Sequence, residues 1–268
     1  MSSESSSASD SNVRLPEKIF EHPLSERMRT FLRLEHLFGK VVYFRAQSSP
    51  WCIRAAIDGL LDIVAIVVRT DIRGELLKEM DRHLGTLDRI RGRSDVDLEM
   101  LDDVVEQLAT AIHALGRLSG PLAAPAREDD FLKAVAQRNS IPGGTCSFDL
   151  PQYHHFLLQP TEWRAQRFAV WCNPLEPIDD ALRLVLSLTR TSTTPRAALA
   201  RQGFFQEALD PAAPVQLVRV ILDAEARCFP EISGHKNRYN IRFLVASGTQ
   251  RPHQIDADVP FRLCCCAL

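Results

Sequence analysis

Helical periodicity runs through this chain to about residue 191, and strand alternation replaces it after Thr194-Pro195. That segregation constrains the fold more than any other feature. In the first half, four long segments carry apolar residues at helical spacing, each with a recognisable start. The first covers about 23–47. Ser49 caps the second, with Pro50 at its first position and Ile53, Ile57, Leu60, Leu61, Val64 and Val68 along one side. Asp71 opens the third, which aligns Leu76, Met80, Leu84 and Leu87. Ser94 opens the fourth, with Leu101, Val104, Val105, Leu108, Ile112 and Leu115 as its stripe. Short links between such segments predict antiparallel neighbours in a helical bundle. Shorter helical pieces are expected at 128–138, 161–172 and 175–191, after a Pro- and Ala-rich connector at 120–126.

Three strands are expected in the last quarter, at 215–222, 240–246 and 259–266. In the second, Ile241, Phe243 and Val245 alternate with Asn240, Arg242 and Leu244, the mark of a sheet with one buried face. An isolated strand is expected at 145–150, where Cys146, Phe148 and Leu150 alternate with Thr145, Ser147 and Asp149. It follows Pro142-Gly143-Gly144, through which no helix can run. The sum is an α+β protein: an N-terminal, mainly helical bundle domain and a discontinuous, mostly C-terminal antiparallel β-strand domain. The expected division is a disordered tail over 1–13, a helical domain over 14–138 and 161–192, and a β domain over 139–160 and 193–268.

With 268 residues and 45% hydrophobic content, the chain can bury a substantial core. Thirty-two basic residues against thirty-four acidic ones leave a net charge of -2, so no overall positive field exists to hold a nucleic acid. The apolar run Ile63 to Val68 is far shorter than the roughly 20 residues that span a bilayer. The Ser-rich start, with Glu4 and Asp10, lacks the basic and apolar parts of a secretory signal. Seven cysteines, three of them adjacent at Cys264, Cys265 and Cys266, fit no disulfide framework, and a reducing cytoplasm is expected. The end Cys265-Cys266-Ala267-Leu268 has the form of a prenylation box, a pattern loose enough to arise by chance.

Cys146, with His154 or His155 as base and Asp149 as orienter, invites a thiol hydrolase or transferase reading. On a strand, however, Cys146 would share the apolar face of Phe148 and Leu150 while Asp149 pointed away, which makes it a core residue. The three terminal cysteines alternate in direction on a strand and cannot all reach one tetrahedral metal ion. Gly-x-Gly-x-x-Gly, Gly-Lys-Ser/Thr and Gly-x-Ser-x-Gly motifs are missing, and Ser233 to Arg238 reads as a turn between strands. No cofactor, metal or small-molecule substrate is expected.

The first helix is more instructive. At about 100° per residue, Arg29, Arg33, His36 and Lys40 fall in a stripe roughly 60° wide, and Leu24, Met28, Phe31, Leu34, Phe38, Val41 and Val42 fill much of the rest. Arg27 and Glu35 lie inside the apolar arc, so each is expected to pair with a group on a neighbouring helix or chain.

Several stretches resemble the bacterial cell-division ZapD family. They are Phe20-Glu21-His22-Pro23-Leu24, Met28-Arg29-Thr30, Leu32-Arg33, Glu75-Leu76-Leu77-Lys78-Glu79, Ser140-Ile141-Pro142-Gly143-Gly144, Cys146-Ser147-Phe148-Asp149-Leu150-Pro151, Asn173-Pro174-Leu175, and Ile232-Ser233-Gly234-His235-Lys236 with Ile241-Arg242-Phe243. The resemblance implies a non-enzymatic cytoplasmic protein at the midcell division ring. It would form a homodimer, bind the C-terminal tail of the tubulin-like protein FtsZ and bundle its filaments. It also implies a partner for the basic ridge, with Arg29, Arg33, His36 and Lys40 joined by Arg138 and His154. The Cys-rich end departs from the family pattern and leaves a redox-sensitive contact through exposed thiols as a further expectation.

Overall fold

The computed structural model describes residues 17–94, 96–210, 214–235 and 238–267. The expected tail over 1–13 and the final Leu268 of the prenylation-like end lie outside them. The chain divides into two compact units, one over Ser25–Ser192 and one formed by the chain up to Leu24 together with Thr193–Ala267.

The first unit is helical: α1 (Glu26–Arg45), α2 (Pro50–Arg69), α3 (Ile72–Ile90), α4 (Leu98–Arg117), α5 (Ala124–Glu128), α6 (Asp130–Asn139), α7 (Pro151–Leu158), α8 (Thr161–Cys172) and α9 (Glu176–Thr191). Its starts follow local chemistry. Ser25 Oγ accepts from the Met28 amide at 3.2 Å and Asp71 Oδ1 from the Gly74 amide at 3.0 Å, each satisfying an orphan donor of the first turn. Asp97, rather than the expected Ser94, caps α4 by accepting from Glu99 and Met100. Much of the set that the periodicity marked forms the core, with Ile53, Ile57, Leu60, Leu76, Met80, Leu108, Leu115, Ile178, Leu182 and Val185 all buried, whereas Val68, expected on the α2 stripe, is exposed. Under α6, α7 and α8 lies an aromatic cluster in which Phe131 stacks on Trp171 with centroids 5.9 Å apart. The Asp129 carboxylate caps α6 and also accepts from Trp171 Nε1 at 3.0 Å and Arg167 Nη2 at 2.6 Å.

The strand expected at 145–150 is not a strand. Residues 140–149 form consecutive tight turns, in which the Gly144 amide donates to Ile141, that of Cys146 to Gly143 and that of Leu150 to Cys146. Gly143 takes φ 73°, open to glycine at no cost. Gly144 lies so close to the Arg138 carbonyl that a Cβ would sit 2.7 Å from its oxygen. Residues 139–160, expected in the β domain, therefore belong to the helical unit.

The second unit is antiparallel β. Its strands are β1 (Lys18–Pro23), β2 (Arg196–Ala200), β3 (Phe204–Ala208), β4 (Val215–Leu222), β5 (Cys228–His235), β6 (Arg238–Val245), β7 (His253–Gln254) and β8 (Val259–Ala267). One sheet runs β1-β4-β8-β2; the other runs β3-β6-β5, with β7 also on β6. The discontinuity expected of this domain is real, but β1, at the N-terminal side, supplies it. Val220 on β4 faces Phe20 on one side and Leu263 on the other, and joins Val218, Leu222, Ile241, Phe243 and Phe261 in one core.

Cys264 and Cys266 are fully buried on the central strand β8. Burial pushes the Cys266 thiol up to about 12. Cys265 lies 3.3 Å from the hydroxyl of buried Tyr239 and is likewise raised by burial. The expectation of exposed terminal thiols is thereby overturned, because a thiol so far above neutrality presents almost no thiolate to an oxidant.

Candidate functional site

All six predicted site residues lie in the helical unit, on two sides of α2. On α1, Met28, Phe31, Leu34, Phe38 and Val41 turn into the core, which leaves the basic stripe outward. Arg33 and His36 are exposed, whereas Arg29 and Lys40 are half-buried. Arg29 Nε donates to Glu26 Oε1 at 3.2 Å in a surface pair of little energetic weight. The Lys40 stem lies along α2, where a Cβ on Gly59 would be 3.3 Å from Lys40 Cδ. From Arg29 to Lys40 the stripe extends about 16 Å along the helix.

The charges inside the apolar arc find partners, as their position predicts. Arg27 Nη1 donates to Glu79 Oε2 at 2.6 Å, and its Nε lies 2.8 Å from Glu75 Oε2, both on α3. Glu35 receives a two-pronged bond from Arg190 of α9, at 2.6 and 2.7 Å. Glu79 is fully buried and also pairs with Arg82. His83, one turn on and 1% exposed, has its Nε2 4.0 Å from the same carboxylate, and desolvation lowers its pKa to about 4.

Across α2 lies the segment that runs from α6 through the turns into α7. Arg138 sits exposed in the last turn of α6, and His154 is exposed in the first turn of α7. Three hydrogen bonds fasten this segment to α2. Arg54 Nη1 donates to the Thr145 carbonyl at 2.9 Å and to its hydroxyl at 3.3 Å, and Asn139 Nδ2 donates to Asp58 Oδ1 at 2.9 Å. Asp58 faces Asn139 while the next residue, Gly59, faces Lys40, so Lys40 and the end of α6 flank α2 at one level. The structure thus brings Lys40 of the stripe and the end of α6 to neighbouring sides of α2 at one level, without joining all six in a single cluster.

Arg54 is what the sequence reading missed. Its guanidinium lies 4.4 Å from the Tyr153 ring centroid and 5.7 Å from that of Trp51. Arg54 lies outside the apolar stripe of α2, and an arginine there carries no signal of its own in the sequence. Cys146 differs from expectation too. It is half-buried in a turn, its Sγ donates to Asp149 Oδ2 at 3.4 Å, and Phe148 is 82% exposed. Asp149 engages the thiol rather than a histidine, so no nucleophile-base-orienter chain is assembled among the described residues.

A hollow of about 690 Å³ opens between α4 and α9, rimmed by Asp103, Glu106, Glu176 and Asp180 over Ala111 and Leu184. Among the described residues it has no lining cation, so it disfavours acidic ligands, and none of the predicted residues lines it.

A profile of the ZapD family, described as a cell division protein, matches residues 32–242. The chain belongs to the ZapD family. A cell division protein ZapD from Methylococcus capsulatus is 42% identical over 250 residues, covering 93% of this chain and 98% of the relative. Cell division proteins ZapD from Chromobacterium violaceum and Ralstonia pickettii are 38% and 37% identical, each aligned over 92% of this chain and 98% of its own length. A role in cell division follows for this ZapD-family chain. Among its described residues, no helix is long and apolar enough to cross a membrane.

Proposed function

We propose that this protein is a non-enzymatic adaptor at the midcell division ring, working in the cytoplasm as a homodimer that binds the C-terminal tail of FtsZ and cross-links FtsZ filaments. One observation carries the reading. Arg33, His36, Lys40, Arg138 and His154 hold no side-chain hydrogen bond or ion pair among the described residues, while Arg27 and Glu35 on the same α1 helix are fully engaged. Unanswered basic side chains on α1 and at the ends of the segment from α6 to α7 suit an acidic, extended peptide. A dimer with two such sites holds two filaments, and repeated weak attachments along polymers add through effective concentration.

The test is co-sedimentation of FtsZ polymer, with and without its tail, against the wild-type protein and an Arg29→Glu/Arg33→Glu variant. Tail-dependent pelleting and bundling are expected for the wild type, and loss of both for the variant, with the dimer intact by sedimentation velocity. Pelleting that ignores the tail, or a variant that bundles normally, refutes the reading.

A further inference from the structure

Trp51 and Phe148 are 79% and 82% exposed, more than any other large apolar side chain among the described residues. One exposed aromatic is unremarkable. These two, however, are linked through one residue, Arg54. Trp51 stands in the first turn of α2 with Arg54 Cζ 5.7 Å from its ring centroid, and Arg54 also holds Thr145, three residues before Phe148, whose own turn runs from Cys146 to Leu150. That turn is set before any ligand arrives, since Leu150 donates to the Cys146 carbonyl at 3.0 Å and Cys146 Sγ to Asp149. A fixed aromatic surface loses little conformational freedom on binding, and tryptophan and arginine are the side chains that most often dominate interfaces.

We propose that Trp51, Arg54 and Phe148 form an anchor for an acidic peptide, in which the rings cover an apolar side chain and Arg54 binds a carboxylate beside it. The proposal rests on the tail-binding reading above and specifies where the tail's apolar residue goes. Arg54 spends only Nη1 on Thr145, so Nε and Nη2 carry no hydrogen bond among the described residues. Arg138 adds positive charge at the start of the segment. Asn139 and Cys146 are neutral donors, so their bonds to Asp58 and Asp149 do not cancel those carboxylates, and what draws an incoming carboxylate is the open edge of Arg54 itself.

The test measures binding of a synthetic FtsZ tail peptide by fluorescence anisotropy. The proteins are wild type, Trp51→Ala/Phe148→Ala and Arg33→Glu; a second peptide keeps its acids but has serine for its large apolar residues. The double variant, truncated at two exposed positions, keeps the fold. It is expected to weaken native-peptide binding at least tenfold, yet to bind the serine peptide as the wild type does, because the contact has been removed from the other side. Wild-type affinity in the double variant alongside weakened Arg33→Glu overturns the anchor and leaves the tail-binding reading standing. An equal loss for both peptides overturns the anchor as well. Failure of the wild type to bind the native peptide overturns both.

Discussion

The two sides of α1 carry the same kinds of charge with opposite fates. Arg27 and Glu35 point into the unit and end on carboxylate and guanidinium partners from α3 and α9; Arg33 and His36 point outward and end on nothing among the described residues. A charge drawn into a core without a partner is costly, so the inner set has to be matched within the chain. The outer set faces no such demand. Its pattern is left for a partner to read, and the same helix both holds the bundle together and presents the candidate site.

The largest expected effect lies on the inner side. Glu79→Ala leaves Arg82 and part of Arg27 without their carboxylate and should cost about 3 kcal/mol in urea unfolding; a cost near zero would mean that the buried network does not hold α1 to α3. Next comes a pH effect at His83, whose folded pKa of about 4 lies below its ordinary 6.5. The unfolded chain therefore binds the extra proton first. The stabilising contribution is complete above pH 6.5 and drains away as pH falls toward 4, by no more than about 3 kcal/mol. Stability measured against pH should slope less steeply across that window in His83→Asn than in wild type. The smallest effect belongs to the outer side, where Arg29→Glu/Arg33→Glu should unfold within about 0.5 kcal/mol of wild type even as bundling is lost. Marked destabilisation there would erase the distinction between the two sets.

Much of this was legible in the sequence wherever one period ran long enough to be unmistakable. The stripes of α2 and α9, the inward face of β6 and the basic ridge of α1 all rest on many repeats of one spacing. The misreadings come from short or broken patterns. Cys146, Phe148 and Leu150 imitate a strand over six residues, but Gly143 at positive φ and Pro151 in the first turn of α7 confine them to turns, and Phe148 faces outward. β5 went unseen because Pro230 and Gly234 interrupt it, both tolerable on a strand at the sheet's edge. Arg138 and His154 came from resemblance alone, since no periodicity marks a residue at a helix end. Arg54 had neither signal, for its role depends on a turn ninety-one residues away.

The placement of β1 has a consequence in time. Arg219 Nε on β4 bonds Glu21 on β1 at 2.9 Å, across 198 residues of chain. At about 5–20 residues per second, a ribosome needs on the order of 10–40 s to deliver the partner after β1 has been made. Through that interval the whole helical unit is synthesised while Lys18–Pro23 has no strand beside it. Lys18 and Glu21 give the waiting segment the charges that discourage pairing with the wrong edge. The β unit is thus completed only after the helical unit, although its strand β1 is made before it.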